Sequence, residues 1–143
     1  VPDEVALQAL QAAVKRGVRV RILVPGPHMD KTTVRRASRA VWGKLLESGV
    51  ELYEFQPTMF HCKVMVVDVT WVVFGSSNFD ARSFSINDET NLNVYDPTFA
   101  AEQQAVFEHD LSRARAVTLA EWKQRPWTER VLDFAAGLLA SQL

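Results

Sequence analysis

The chain has 143 residues, 48% of them hydrophobic, which is enough apolar material for one folded domain with its own core. Its 16 basic and 17 acidic side chains give a formal net charge of -1, so no overall basic field attracts nucleic acid. The single cysteine excludes an intrachain disulfide, and no apolar run reaches the roughly 20 residues that a membrane-spanning helix needs. We therefore expect a soluble chain, and a helix start at residue 1 without a Met indicates a fragment of a longer protein.

The first half of the sequence alternates helices with strands. Asp3 as a candidate N-cap and apolar residues spaced by three and four predict a helix that ends at Gly17. A strand is predicted at 18–24, a second helix at about 31–48 and a second strand at 50–55. Because the connections are short, this order is typical of an α/β domain with parallel neighbouring strands.

The second half predicts a hairpin, one more strand and a helical C-terminal third. Runs of β-branched and aromatic residues at 62–67 and 71–74 are only three residues apart, which indicates an antiparallel hairpin, and 91–95 indicates another strand. Three helices follow, from Pro97 to about 113, after the capping-box pair Thr118 and Glu121, and from Pro126. The predicted fold is α/β, with a mixed β-sheet flanked by helices on both faces.

The first hairpin strand carries a nucleophile and a cation. Side chains alternate along a strand, so His61 and Lys63 project from the same side, about 7 Å apart. Cys62 points the other way, and we expect it to be a small core residue and not a reactive thiol.

Neutral hydrogen-bond donors and a carboxylate are predicted to return to the same side. Gly75 permits a tight turn, after which Ser76 and Asn78 point together in an extended segment. Glu89 stands at the head of the last predicted strand, where it can hold one imidazole nitrogen. A set of His, Lys, Ser, Asn and Glu side chains suits phosphoryl chemistry.

These two segments, 61–68 and 75–78, resemble the HxKxxxxD and GSxN motif of the phospholipase D superfamily, with matching spacing. The resemblance covers nearly the whole chain and extends to the C-terminal half of bacterial cardiolipin synthases. The further matching runs are 23–26, 53–57, 78–83, Glu89 and 118–122. The resemblance implies a single phospholipase D-like (HKD) domain over 1–143, with 118–143 as its C-terminal helical segment. This domain is expected to be the C-terminal half of a longer two-motif enzyme.

The resemblance also implies roles for the site residues, through a phosphohistidine intermediate and without any metal or other cofactor. The implied catalytic set comprises His61 as nucleophile or general acid/base, Lys63, Ser76 and Asn78 on the phosphate oxygens, and Glu89 fixing the His61 tautomer. Asp68 matches the motif, but it lies on the opposite strand face from His61. We therefore expect Asp68 to brace the hairpin turn.

The implied reaction moves a phosphatidyl group from one phosphatidylglycerol to the hydroxyl of another. The implied partners are this phospholipid, a second HKD half-site from the same parent chain or from a homodimer mate, and a membrane surface reached through the parent protein. The expected location is peripheral, at the cytoplasmic side of the bacterial inner membrane. Near-neutral charge argues against nucleic acid. The alternatives are a phospholipase D-like phosphodiesterase, either a phospholipase or a dimeric endonuclease, and an inactive isolated domain.

Two groups of residues are each compatible with more than one binding or packing partner. Lys31, Arg35, Arg36 and Arg39 suit either anionic lipid head groups or a solvated helical face. The apolar residues near the C-terminus suit packing on the domain or a partner, which is favoured, or an interfacial membrane face. The latter set is Trp122, Trp127, Val131, Phe134, Leu138 and Leu139, with Arg125 and Arg130 nearby.

Overall fold

The computed structural model describes residues 4–28, 32–79, 83 and 87–138. In chain order its elements are α1 (Glu4–Lys15), β1 (Arg21–Pro25), α2 (Thr32–Arg39), α3 (Trp42–Glu47), β2 (Glu51–Phe55), β3 (Val64–Val67), β4 (Trp71–Gly75), β5 (Asn91–Tyr95), α4 (Pro97–Leu111), β6 (Ala114–Val117), α5 (Leu119–Gln124) and α6 (Trp127–Leu138). No helix in these ranges is long and apolar enough to cross a bilayer.

The first sheet, β1-β2-β6, carries the main core. β1 and β2 are parallel, and β6 runs antiparallel to β2 on its other side, so this sheet is mixed. The buried cluster beside it joins Leu7 of α1, Leu45 of α3 and Leu52 of β2. Trp42 and Trp122 meet in the same cluster with ring centroids 5.6 Å apart, which ties α3 to α5.

The second sheet, β3-β4-β5, is an antiparallel meander that begins with the predicted hairpin. Its turn holds Asp68 and Val69, both with φ of 50°, and Thr70 N donates to Val67 O at 3.0 Å. Two consecutive positive φ angles match the right-handed strand twist, although a β-branched residue such as Val69 adopts them at a cost. Asp68 is therefore a turn residue, as predicted.

Helix ends follow local signals closely. The Asp96 carboxylate accepts from Thr98 N at 2.7 Å and caps α4, whose first residue is Pro97. Thr118 Oγ accepts from Glu121 N at 3.2 Å, and Thr118 N donates to the Glu121 carboxylate at 3.3 Å. The predicted capping box is therefore confirmed.

Three predictions of local structure differ from the fold, although the α/β class is confirmed. The described strands form two three-stranded sheets in place of one mixed sheet. The helix predicted over 31–48 is interrupted at Ala40 and Val41, where α2 ends and α3 begins. The C-terminal third, predicted to be helical, contains β6, which forms because it pairs with β2.

The prediction that Cys62 points into the core is wrong, because Cys62 is exposed. β3 starts only at Val64, so strict strand alternation does not extend back to Cys62. Val64 and Met65 are also exposed although they point to opposite faces of the strand. Both sides of the sheet are therefore open at this end.

The basic side of α2 packs against neighbouring elements. This predicted face comprises Lys31, Arg35, Arg36 and Arg39, of which Lys31 lies outside the described residues. Arg35 pairs with the buried Glu54 of β2, and Arg39 Nε lies 3.2 Å from the buried Asp133 of α6. The reading as a solvated helical face is therefore wrong for Arg35 and Arg39, because internal carboxylates engage both guanidinium groups.

Candidate active site

His61 and Lys63 lie in the segment that leads into β3. Gly75 N donates to Lys63 O at 3.2 Å, so the β3–β4 pairing continues one residue beyond the strand and fixes the backbone of Lys63. Lys63 Nζ donates to the backbone oxygen of His61 at 3.1 Å. The His61 side chain is exposed, and its ring has no hydrogen-bond partner among the residues that the structure describes. The imidazole is therefore accessible to a substrate.

Ser76 is held where β4 meets the segment before β5. Ser76 N donates to Thr90 O at 3.0 Å, and Ser76 Oγ accepts from Thr90 N at 3.0 Å. A side chain at Gly75 would place its Cβ 2.1 Å from Thr90 O, so only glycine allows this approach. The hydroxyl proton of Ser76 has only a weak contact with Thr90 O at 3.5 Å, and the Glu89 carboxylate is its better acceptor.

Glu89 is a half-buried carboxylate surrounded by donors. Its Oε1 accepts from Ser83 Oγ at 3.0 Å and from Asn87 Nδ2 at 3.3 Å. Hydrogen bonding from Ser76 is the main cause of a lowered Glu89 pKa, and Ser83, Asn87 and the charge of Lys63 act in the same direction. Glu89 is therefore a fixed negative charge within the field of Lys63.

The structure brings Lys63, Ser76 and Glu89 into electrostatic contact, whereas the predicted partnership of Glu89 with His61 is not formed. No hydrogen bond joins Glu89 to His61 within the described part of the chain. Ser83 and Asn87, whose side chains donate hydrogen bonds to Glu89, lie in the connection between β4 and β5. A role for Glu89 toward an imidazole stays a prediction.

Ser83 is a site residue that the sequence analysis does not select. It is buried, it donates to Glu89, and its Oγ accepts from Asn78 N at 3.1 Å. Ser83 thereby connects the backbone of Asn78 to the carboxylate. Ser83 belongs to the run 78–83 that resembles the family, so the resemblance could have indicated it. A single serine, however, has no sequence pattern of its own that marks it as a site residue.

These side chains together suit a phosphoryl group. One ammonium group, one imidazole and neutral hydroxyl and amide donors can bind the oxygens of a phosphodiester and stabilise charge that develops on them. His61, Ser76 and Asn78 are exposed, while Lys63 and Glu89 are half-buried. Among the described residues there is no group of three or more His, Cys, Asp or Glu that could hold a metal ion.

Comparison with known proteins identifies the family. Residues 1–111 match the family described as cardiolipin synthase, PLD-like domain. The chain belongs to this family. Its match covers both motif segments and most of the described fold, and the predicted resemblance to the phospholipase D superfamily is thereby confirmed.

Proteins named cardiolipin synthase are similar to this chain over all or most of its length. A cardiolipin synthase from Halalkalibacterium halodurans is 37% identical over 143 residues, which are 100% of this chain and 28% of that protein. Cardiolipin synthase A from Serratia proteamaculans is 36% identical over 133 residues, which are 93% of this chain and 27% of that protein. The chain therefore spans just over a quarter of the length of these relatives.

A solved structure supports the same fold. The crystal structure of a phospholipase D family member, Nuc from Salmonella typhimurium, is similar with a TM-score of 0.73 and 27% sequence identity. The match covers 82% of this chain and 76% of that chain. The α/β architecture is therefore that of a phospholipase D family member.

Proposed function

We propose that this chain supplies one half-site of a phosphatidyltransferase of the cardiolipin synthase type. In this reaction, two phosphatidylglycerol molecules give one cardiolipin and one glycerol. The observation that carries the proposal is the similarity to cardiolipin synthases across the full 143 residues. An accessible imidazole beside an ammonium group, as found at His61 and Lys63, is compatible with it.

The proposed chemistry uses two histidines. An imidazole nitrogen attacks phosphorus, the phosphorus–oxygen bond to the departing glycerol breaks, and the second histidine donates its proton to that oxygen. In the second step, the hydroxyl of another phosphatidylglycerol loses its proton to the same histidine and attacks the phosphohistidine. His61 takes one of these two roles and the second half-site supplies the other.

The residues near His61 stabilise the negative charge that develops on the phosphate oxygens. Lys63 neutralises the non-bridging phosphate oxygens, and Ser76 and Asn78 donate hydrogen bonds to them as charge develops. Glu89 would orient an imidazole and favour its protonated form through its own negative charge. Because this face is open, we propose that a second HKD half-site closes over the phosphate, from the same parent chain or from a homodimer mate.

The second candidate is a phospholipase D-like phosphodiesterase. The structural similarity to a phospholipase D family member favours it, because the same half-site can transfer the phosphoryl group to water. Transfer and hydrolysis then differ only in the acceptor, an alcohol or water. Within either reaction, the isolated chain is expected to be inactive unless it pairs with a second motif.

We further propose a peripheral location at the cytoplasmic side of a bacterial inner membrane. The substrate of the proposed reaction resides in the bilayer, so the active face has to reach lipid phosphates near the head-group layer. The parent protein would supply a membrane contact of its own.

Product analysis of the full-length enzyme tests the proposal. With labelled phosphatidylglycerol, transfer gives cardiolipin and glycerol, whereas hydrolysis gives phosphatidic acid and glycerol. His61→Ala is expected to lower the rate by roughly 10⁴-fold or more, because it removes a group that touches the reacting atoms. His109→Ala, an exposed histidine of α4, is the matched control and should keep full activity. Unchanged cardiolipin formation by His61→Ala would end the proposal.

A further inference from the structure

Helix α6 turns its acidic side toward the rest of the domain. Glu129, Asp133 and Ala136 share one helical face by their spacing and turn toward the rest of the chain. Arg39 of α2 binds both acids, with Nη2 at 2.9 Å from Glu129 and Nε at 3.2 Å from Asp133. An ordinary surface helix buries apolar residues and exposes charged ones. The side of α6 that meets the domain is therefore held by ion pairs.

These ion pairs are anchored to the hydrophobic core. The guanidinium carbon of Arg39 lies 5.2 Å from the ring centroid of Trp122, and that of Arg125 lies 3.4 Å from it. Trp122 is itself buried in the main core cluster. Because the arginines join Asp133 to this ring, α6 has a defined orientation and presents a fixed outer side.

The outer side of α6 is apolar. Trp127, Val131 and Phe134 follow one another at helical spacing, and we call them the outer face of α6. Trp127 is 73% exposed and Phe134 is 66% exposed. Of the readings from the sequence, packing of these three side chains on the domain is therefore wrong, whereas packing on a partner and an interfacial membrane face stay open. A contiguous exposed apolar face of this kind marks an interaction surface.

Positive charge borders the outer face. Arg125 and Arg130 line, with Trp127 and Phe134, an open cleft of about 470 Å³. Asp133 also lines the cleft but is buried and paired with Arg39, and Glu129, whose side chain is 46% exposed, is paired with the same arginine. Arg125 Nε is buried 3.8 Å from the Asp133 carboxylate, so Arg125 is engaged inside the domain and Arg130 is the exposed cation beside the cleft. The charge of this surface complements an anion.

We propose that the outer face of α6 docks onto an anionic phospholipid surface. Trp127, Val131 and Phe134 would enter the interfacial layer, and the exposed Arg130 would meet the head-group phosphates. A tryptophan with aliphatic and aromatic neighbours and flanking arginines is the pattern of an interfacial helix. This docking does not depend on the proposed reaction, since none of these residues belongs to the candidate active site.

Vesicle flotation with the 143-residue chain tests the docking. Wild-type chain is expected to float with vesicles of equal parts phosphatidylglycerol and phosphatidylcholine. Trp127→Ser/Phe134→Ser should weaken this binding by at least about tenfold, because two apolar side chains no longer leave water. The matched control Val5→Ser/Val106→Ser changes two other exposed apolar residues, on α1 and α4, and should bind as the wild type does. Far-ultraviolet circular dichroism verifies that all variants are folded.

A second set of variants tests whether the docking requires positive charge on the protein. Arg130→Gln should lower binding to phosphatidylglycerol vesicles about fivefold, because one basic residue near an anionic surface contributes about that factor. Lys15→Gln on α1 removes the same charge elsewhere and should have no effect. His61→Ala should float normally, which separates failure of docking from failure of the proposed reaction.

Several outcomes would overturn the docking proposal. Equal binding to pure phosphatidylcholine vesicles would remove the anionic requirement. Undiminished binding by the folded Trp127→Ser/Phe134→Ser variant would place the contact elsewhere. In another outcome, the wild type fails to bind vesicles and sediments as a dimer, and the Trp127→Ser/Phe134→Ser variant sediments as a monomer. That result would assign the face to a second copy of the chain.

Discussion

The two sheets of this domain differ in what covers them. Leu52 in the first sheet, β1-β2-β6, is 2% exposed and lies within a cluster built from three helices and the sheet. Leu92 in the second sheet, β3-β4-β5, is 57% exposed, and Val64 and Tyr95 are exposed as well. All five predicted site residues lie on or beside the second sheet. The fold is therefore stabilised mainly at the first sheet, while the candidate chemistry is located at the second.

This difference has a physical reason. In the proposed function a phosphodiester has to reach His61 and Lys63, so we expect the surface that carries them to stay open until substrate and a second half-site arrive. Val72 in β4 is fully buried, and Phe74 contacts Phe99 of α4 with centroids 5.9 Å apart, so one side of the second sheet is anchored. The anchored side fixes the geometry and the open side is available for catalysis.

The largest expected effect is on stability, and it is measured by replacing one leucine in each of the two sheets. Leu52→Ala should lower the free energy of unfolding by about 2–5 kcal/mol, because it leaves a cavity in a packed core. Leu92→Ala should change it by about 0.5 kcal/mol or less, since most of this side chain is already in water. Chemical denaturation of both variants measures the difference. Equal destabilisation would show that the second sheet is as firmly packed as the first.

A smaller effect concerns an ion pair at the rim of the first sheet. The Arg19 guanidinium donates to Glu51 at 2.6 Å and, with the Tyr53 hydroxyl, lowers the pKa of Glu51 from 4.5 to about 2. A depressed carboxyl pKa stabilises the fold above pH 4.5, and this contribution is lost as pH falls toward 2. Because Glu51 is partly exposed, Glu51→Gln should cost about 1 kcal/mol or less at pH 7.

The measurement for Glu51 is a denaturation series from pH 7 to pH 2. The difference in unfolding free energy between wild type and Glu51→Gln should shrink below pH 4.5 and vanish near pH 2. Glu4→Gln, which changes an exposed carboxylate on α1, serves as the control. A Glu51 difference that stays constant with pH would mean that its ionisation contributes nothing to stability.

Signals within a few residues predicted local structure well. The capping box at Thr118, the helix start at Pro97 and the strand at Asn91–Tyr95 all depend on neighbours in sequence, and all three are confirmed. β6 was not predictable in this way, because the four residues Ala114–Val117 form a strand through pairing with β2. The sheet partner decides their conformation.

The sequence predicted which side chains lie in one region better than it predicted the contacts between them. The motif spacing placed Lys63, Ser76 and Glu89 in one region, and the lowered pKa of Glu89 reflects both of the others. The buried link through Ser83 joins Asn78 to Glu89 within the connection between β4 and β5, and no periodic pattern in the sequence relates these residues. The exposed position of Cys62 likewise depends on where β3 begins.

Helix α6 shows why a stripe of apolar residues does not reveal what it faces. Its spacing predicted one apolar side, and Trp127 and Phe134 do share a side. Whether this side turns inward depends on the competing ion pairs of Asp133 with Arg39 and Arg125. Those partners are 94 and 8 residues away in sequence, respectively, so the orientation follows from tertiary structure.

The central claim is that the second sheet carries the chemistry without carrying the stability, and Lys63 tests it most directly. In the full-length enzyme, Lys63→Met should lower cardiolipin formation by roughly 10³-fold, because the charge that stabilises the phosphoryl oxygens is lost. The melting temperature of Lys63→Met should stay within about 2 °C of that of the wild type. The control variant Lys15→Met should show the same stability and keep full activity. Normal cardiolipin formation by a folded Lys63→Met enzyme would contradict the account.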